Sequence, residues 1–117
     1  MIDIVVYGVP DKVNKEFLTS YWIKLRLAAD KFPELVACKD KVAVFFPRDQ
    51  IQEGLGEEII VKVYGLFEVI ERTNKVKHDY GNLLRQITRN FFRKALVDVR
   101  ILSSDEHEVH LISEPKE

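Results

Sequence analysis

The stretch Glu58 to Phe67, EIIVKVYGLF, leaves a folding chain few choices, because β-branched and aromatic side chains favour extended backbone. Alternation places Ile59, Val61, Val63 and Phe67 on one face and Ile60, Lys62, Tyr64 and Leu66 on the other. Both faces are mostly apolar, which predicts a central strand covered on both sides. The stretch has an echo near the amino terminus, where Ile4-Val5-Val6-Tyr7-Gly8 reads against Val61-Lys62-Val63-Tyr64-Gly65.

The segments around these two strands follow one pattern. Ile2 to Tyr7 alternates and ends at Gly8-Val9-Pro10, so it reads as a first strand. Asp11 is the expected N-cap of a long first helix, in which Val13, Phe17, Leu18, Tyr21, Leu25, Ala28, Ala29 and Phe32 recur at helical spacing up to Pro33. Trp22, Ile23 and Leu27 widen its apolar stripe beyond what one sheet face requires. The surplus points either to a second partner surface or to wrapping by the chain's own loops. Lys41 to Pro47 is a second strand, and Arg48 to Glu57 is a polar loop. Asp79 is the expected cap of a second helix with the stripe Tyr80, Leu83, Leu84, Ile87, Phe91 and Ala95. Val97 to Leu102 returns as a strand, and Glu108 to Ile112 closes the chain as a short one.

The order is β-α-β twice, with a strand appended. With the Val-Tyr-Gly segments superposed, Val42-Ala43-Val44-Phe45 falls on Val99-Arg100-Ile101-Leu102 without a gap, as expected of a duplicated unit. The expectation is one α+β domain over 1–117, with pseudo-repeats at about 2–47 and 58–102. Its two helices pack on a mixed four-stranded sheet that carries the short carboxy-terminal strand.

A chain of 117 residues, 46% of them hydrophobic, is the size of one ordinary domain. Its 18 basic and 19 acidic residues give a net charge of −1, so no global field draws it to nucleic acid or an anionic membrane. The lone Cys38 forms no internal disulfide, and the amino terminus lacks the basic segment and apolar run of a signal peptide. No apolar run approaches the roughly 20 residues that span a bilayer. A cytoplasmic protein is the expectation.

A duplicated βαβ chain running from an initial strand through VAVFFPRDQIQEGLGEEIIVKVYGLF to VDVRIL resembles the tautomerase superfamily. The nearest likeness is to 5-carboxymethyl-2-hydroxymuconate isomerases and uncharacterised tautomerase-like proteins. The resemblance implies a trimer, with the active site between subunits at the amino end of the first strand. It implies keto-enol chemistry on small 2-oxo or 2-hydroxy acids, with no cofactor and no metal. Catalytic members use an amino-terminal proline as their acid or base, and here Ile2 stands at that position behind Met1. Methionine is normally retained ahead of so bulky a side chain, leaving a primary amine on Met1, out of register by one residue. The resemblance therefore implies an inactive or altered protein. Arg100, in VDVRIL, matches an arginine that half-length members carry after the helix, and its guanidinium suits a carboxylate. Its counterpart in the first half is Ala43. Arg48, Lys12 and Lys41, near strand ends, are the other candidate ligand-binding residues.

Other constellations are weaker. His107 and His110 with Asp105, Glu106 and Glu108 are metal-binding residue types, but strand residues three apart face opposite ways. His78 beside Asp79 reads as capping. Arg85, Arg89 and Arg93 form one cationic line on the second helix with Lys94 beside it, either a solvated face or a site for an anionic partner. The same element order also fits a ferredoxin-like binding or regulatory domain. As an RNA-binding module it would use Tyr7 and Tyr64 as stacking aromatics, although the basic-Gly-aromatic consensus of such modules is absent. Nucleic acid is not the expected partner.

Overall fold

The computed structural model describes residues 2–35, 41–48, 58–65, 73–102 and 109–116. Strand β1 (Ile2–Tyr7) leads to helix α1 (Lys15–Ala28), which continues through two short 3-10 turns (Ala29–Lys31 and Pro33–Leu35) to β2 (Val42–Phe45). Strand β3 (Glu58–Tyr64), helix α2 (Asn74–Phe91) and β4 (Leu96–Ile101) repeat the order, and β5 (Val109–Ser113) ends it. The chain is an α+β fold with two helices on one five-stranded mixed sheet, in the order β2-β1-β3-β4-β5. Each βαβ unit pairs its own strands in parallel, β1 with β2 and β3 with β4, while β1 and β3 meet antiparallel at the centre. A split β-α-β of the ferredoxin-like kind would place another strand between β1 and β2. Here they are direct neighbours.

The central pairing is symmetric. Val5 faces Lys62, Ile4 faces Val63 and Val6 faces Val61, so the triplets Val6-Tyr7-Gly8 and Val63-Tyr64-Gly65 end their strands at equivalent points. Gly8 and Gly65 have φ of 88° and 90°, a left-handed conformation that L side chains adopt only at a cost. Gly8 is further constrained by closeness, since a Cβ there would lie 2.1 Å from the Glu58 carbonyl oxygen. The echo visible in the sequence is thus a repeated strand ending.

The gapless superposition of the outer strands is two residues out. Ile2 pairs with Val42, but Ile59, its counterpart, pairs with Val97. By register the counterpart of Arg100 is Phe45, and that of Ala43 is Asp98. Alternation could not reveal this, because a two-residue slip keeps every side chain on its own face.

The helix caps also differ from expectation. Asn14 caps α1, its Oδ1 accepting from the Phe17 amide at 2.7 Å, because Pro10 to Val13 closes a turn and holds Asp11 outside the helix. Asp11 accepts instead from Arg48. Thr73 caps α2, which begins well before Asp79; that carboxylate pairs with Lys75 one turn back.

The helices cover one face of the sheet. Ile2, Ile4, Val6, Ile59, Val61, Val63, Val97, Val99 and Ile101 are buried there with Tyr21 and Leu25 of α1 and Tyr80 and Leu84 of α2. Tyr21 and Thr88 join the helices by a buried 2.7 Å hydroxyl hydrogen bond, and burial raises the pKa of Tyr21, so the ring stays neutral. The opposite face, with Val5, Tyr7, Phe45, Ile60, Lys62, Tyr64 and Ile112, carries no helix among the described residues. Among the described residues, helices cover the central strand on one side only.

Arg89 breaks the cationic line. It is 4% exposed and its guanidinium donates to the carbonyls of Phe92, Arg93 and Ser113 and to the Ser113 hydroxyl. It ties the carboxy end of α2 to β5.

Replacing Gly8 by alanine should destabilise the fold by at least about 2 kcal/mol, the sum of the left-handed backbone penalty and the contact with Glu58. A urea midpoint shift with unchanged slope is the expected result.

Candidate functional site

At the amino end of β1, where the resemblance places the chemistry, Ile2 is 1% exposed and paired beside Val42. Its side chain is core and supplies no acid or base. Met1 lies outside the described residues, as do Cys38 and His107. Lys41 is exposed immediately before Val42, at the same end of the sheet.

The other cations do not converge on that end. Lys12 and Arg48 follow the carboxy ends of β1 and β2, roughly 17 Å along the strand at about 3.3 Å per residue. Arg48 is held there by Asp11, with Nε and one terminal nitrogen each 3.1 Å from Oδ1. Lys12 borders a groove of about 580 Å³ that Asn14, Arg93 and Lys94 also line. Sequence reasoning singled out Arg93 and Lys94 only as part of the cationic line of the second helix and did not single out Asn14; none was placed beside Lys12, since the groove joins distant segments.

Arg100 lies on the open face in a row running Phe45, Val5, Lys62, Arg100, His110 across all five strands. It is already engaged. Its terminal nitrogen is 3.0 Å from Oδ2 of Asp98, and Nε is 3.4 Å from Oδ1. His110 Nε2 is 2.6 Å from the same Oδ1. Asp98 is 4% exposed, so it needs these partners; a carboxylate taken out of water is stable only when paired. The cluster gives His110 a role without metal, and among the described residues no three His, Cys, Asp or Glu side chains gather as metal ligands.

Tyr7 and Tyr64 lie on the same open face. The Lys62 ammonium stands 5.4 Å from the centroid of the Tyr7 ring. Burial and then the neighbouring Tyr7 hydroxyl raise the pKa of Tyr64. The two tyrosines and Lys62 flank the dyad of the central pair, with Asp3 opposite Tyr64 in the register.

Solved structures with the same arrangement decide what fold this is. A fused 4-oxalocrotonate tautomerase (4-OT), wild type and solved as an asymmetric trimer, superposes with a TM-score of 0.63 at 16% identity, covering 86% of each chain. This is the tautomerase fold. A native fused 4-OT shares it at a TM-score of 0.58 and 11% identity, over 92% of this chain and 91% of the other. Pt0534 inactivated by 2-oxo-3-pentynoate does so at 0.62 and 13%, over 87% of this chain and 83% of its own. The sequence matches no family model and no curated protein. On this fold Ile2 is a core residue at the head of β1, and Arg100 is bound to a carboxylate of its own chain.

Arg100→Ala should lower stability by about 1 kcal/mol and Asp98→Ala by about 1–3 kcal/mol, because the second change also strips His110 and Arg100 of their acceptor. Urea denaturation measures both. An Arg100→Ala midpoint equal to wild type would mean that the pair with Asp98 contributes nothing to the folded state.

Proposed function

We propose that this chain is a single-domain, tautomerase-like protein of the small 2-oxo or 2-hydroxy acid type. In this reading it has two βαβ repeats and has lost, or altered, the amino-terminal proton transfer of its relatives in fold. The observation that carries the reading is Ile2, buried at the head of β1 in a tautomerase fold. A secondary amine there would be an acid-base group; an isoleucine side chain is not one. The Pt0534 structure inactivated by a 2-oxo acid supports the ligand class.

The assembly in this proposal is a homotrimer. A cyclic trimer needs two different patches on each chain, because its contacts run head to tail. One chain presents two such patches: the open sheet face, with Phe45 and Ile112 about half exposed, and α1, with Ile23 44% and Leu27 40% exposed. Trp22 is half-buried beneath Arg26, whose guanidinium carbon is 4.8 Å from the ring centroid. Packing α1 of one subunit against the open sheet of the next would cover both patches and the second face of β3. The trimeric state of the fused 4-OT structure supports this arrangement. No helix among the described residues is long and apolar enough to cross a membrane, and a cytoplasmic location completes the proposal. With Arg89 buried, the arginine line that would have held an anionic polymer is interrupted, so nucleic acid is not proposed as a partner.

Light scattering at micromolar concentration should give three times the 13.7 kDa chain mass, and Ile112→Glu should lower it. A monomeric wild-type protein would sink the assembly. Turnover of phenylpyruvate or 2-hydroxymuconate should be negligible. Ile2→Pro, tolerable at the first residue of a strand, tests whether a proline alone restores it. Robust wild-type activity abolished by blocking the amino terminus would refute the altered-chemistry reading.

A further inference from the structure

Arg89 is a buried cation whose charge is left uncompensated. Four of its five N–H groups are spent on neutral acceptors, the Ser113 hydroxyl and the carbonyls of Ser113, Phe92 and Arg93. Among the described residues no carboxylate forms an ion pair with it. Glu114, exposed beside Ser113, acts on it only at a distance, against the burial that disfavours its charge. Carbonyl dipoles satisfy its donors, but a guanidinium taken out of water still lacks a counter-ion.

Arg89 borders a hollow of about 210 Å³, formed where the chain at the end of β5 passes the last turns of α2. Arg85 and Arg89, and likewise Gln86 and Asn90, are four residues apart on α2 and share one face of it. Ser113 comes from β5, and the Lys116 amide donates to the Arg93 carbonyl at 2.9 Å, which pins this segment so that Lys116 completes the lining. Among the described residues no acidic or apolar side chain lines the hollow. Arg85 and Lys116 have no side-chain partner there, and Ser113, which accepts from Arg89 Nε, keeps its own O–H to donate. The negative end of the α2 dipole, which would repel an anion, is blunted because Arg89 and the Lys116 amide occupy the Phe92 and Arg93 carbonyls. Three cations and a hydroxyl around a space with no apolar wall give an organic body nothing to lie against. A planar monoanion answers only part of the charge, whereas a tetrahedral dianion uses every donor.

We infer that this hollow binds a phosphate group, either the free ion or the end of a small phosphomonoester. Arg85, Lys116 and the Ser113 hydroxyl contact its oxygens, and Arg89 supplies the charge behind them together with its one remaining N–H. The hollow takes a single phosphate group and no polymer, because the burial of Arg89 interrupts the cationic line that successive phosphates would need. None of its residues belongs to the head of β1 or to the two patches assigned to the trimer, so the site stands apart from both.

Backbone amide NMR titration of the full chain, at fixed ionic strength with chloride as background, tests it. Orthophosphate should give saturable shifts centred on Asn90, Ser113 and Lys116, with acetate at least about tenfold weaker, the value of one charge-assisted hydrogen bond. Methyl phosphate separates the two sources: tighter binding than orthophosphate marks an ester, weaker binding the free ion, and either supports the site. The double variant Arg85→Gln/Lys116→Gln should keep the wild-type spectrum elsewhere and lose phosphate affinity by about tenfold or more. Lys12→Gln/Lys41→Gln removes the same charge outside the hollow and should leave that affinity nearly unchanged, since salt screens distant exposed charges. Equal losses in the two double variants would reduce the effect to general charge and overturn the inference. Equal affinity for acetate, shifts that never saturate, or no shift at millimolar phosphate would overturn it too.

Discussion

The antiparallel meeting of β1 with β3 is the contact on which everything else in this molecule depends. Each βαβ unit alone would have a two-stranded parallel sheet with one helix and an unpaired edge, too little to bury an apolar face. Joined through Val5 and Lys62, the two units share one core of alternating Ile and Val under both helices. The two left-handed glycines allow this. They end β1 and β3 at matching points, and at Gly8 the absent Cβ lets the chain pass against the Glu58 carbonyl. The same symmetry sets Ile2 and Ile59 at opposite ends of the sheet, each the head of a strand and each buried.

Charge in this fold is used mostly from within. Arg89 satisfies the carbonyls that α2 leaves unpaired at its end, and burial lowers its pKa against the opposing influence of Glu114. Asp98 gathers Arg100 and His110 on the open face. In both places the partners are hydrogen-bonded at short range, which is the condition for a charged group to remain inside a protein. Cations committed in this way have few donors left for a ligand; Lys12, Arg93 and Lys94 have no carboxylate partner among the described residues.

Much of the architecture was legible in the sequence because it rests on short-range periodicity. The period-two runs at Ile2 to Tyr7 and Glu58 to Tyr64 and the stripes through Tyr21, Leu25, Tyr80 and Leu84 name the residues buried between helices and sheet, although the second run also led to an expectation of cover on its other face. Errors arose where the deciding contact was not periodic. Asp11 and Asp79 are sound capping residues, yet a turn at Pro10 and an earlier start at Thr73 moved both helix ends elsewhere. Arg89 sits at the spacing of a solvated face, and only the return of β5 past the end of α2 buried it.

The sequence by itself determined the elements, their order and the residues buried beneath the helices, because each follows from residue type and spacing along one segment. Only the tertiary structure decided which strands are neighbours, a two-residue slip between the halves, and which cations remain available. Strand register, ion pairing and groove shape depend on side chains far apart in the chain, and no local pattern records those distances.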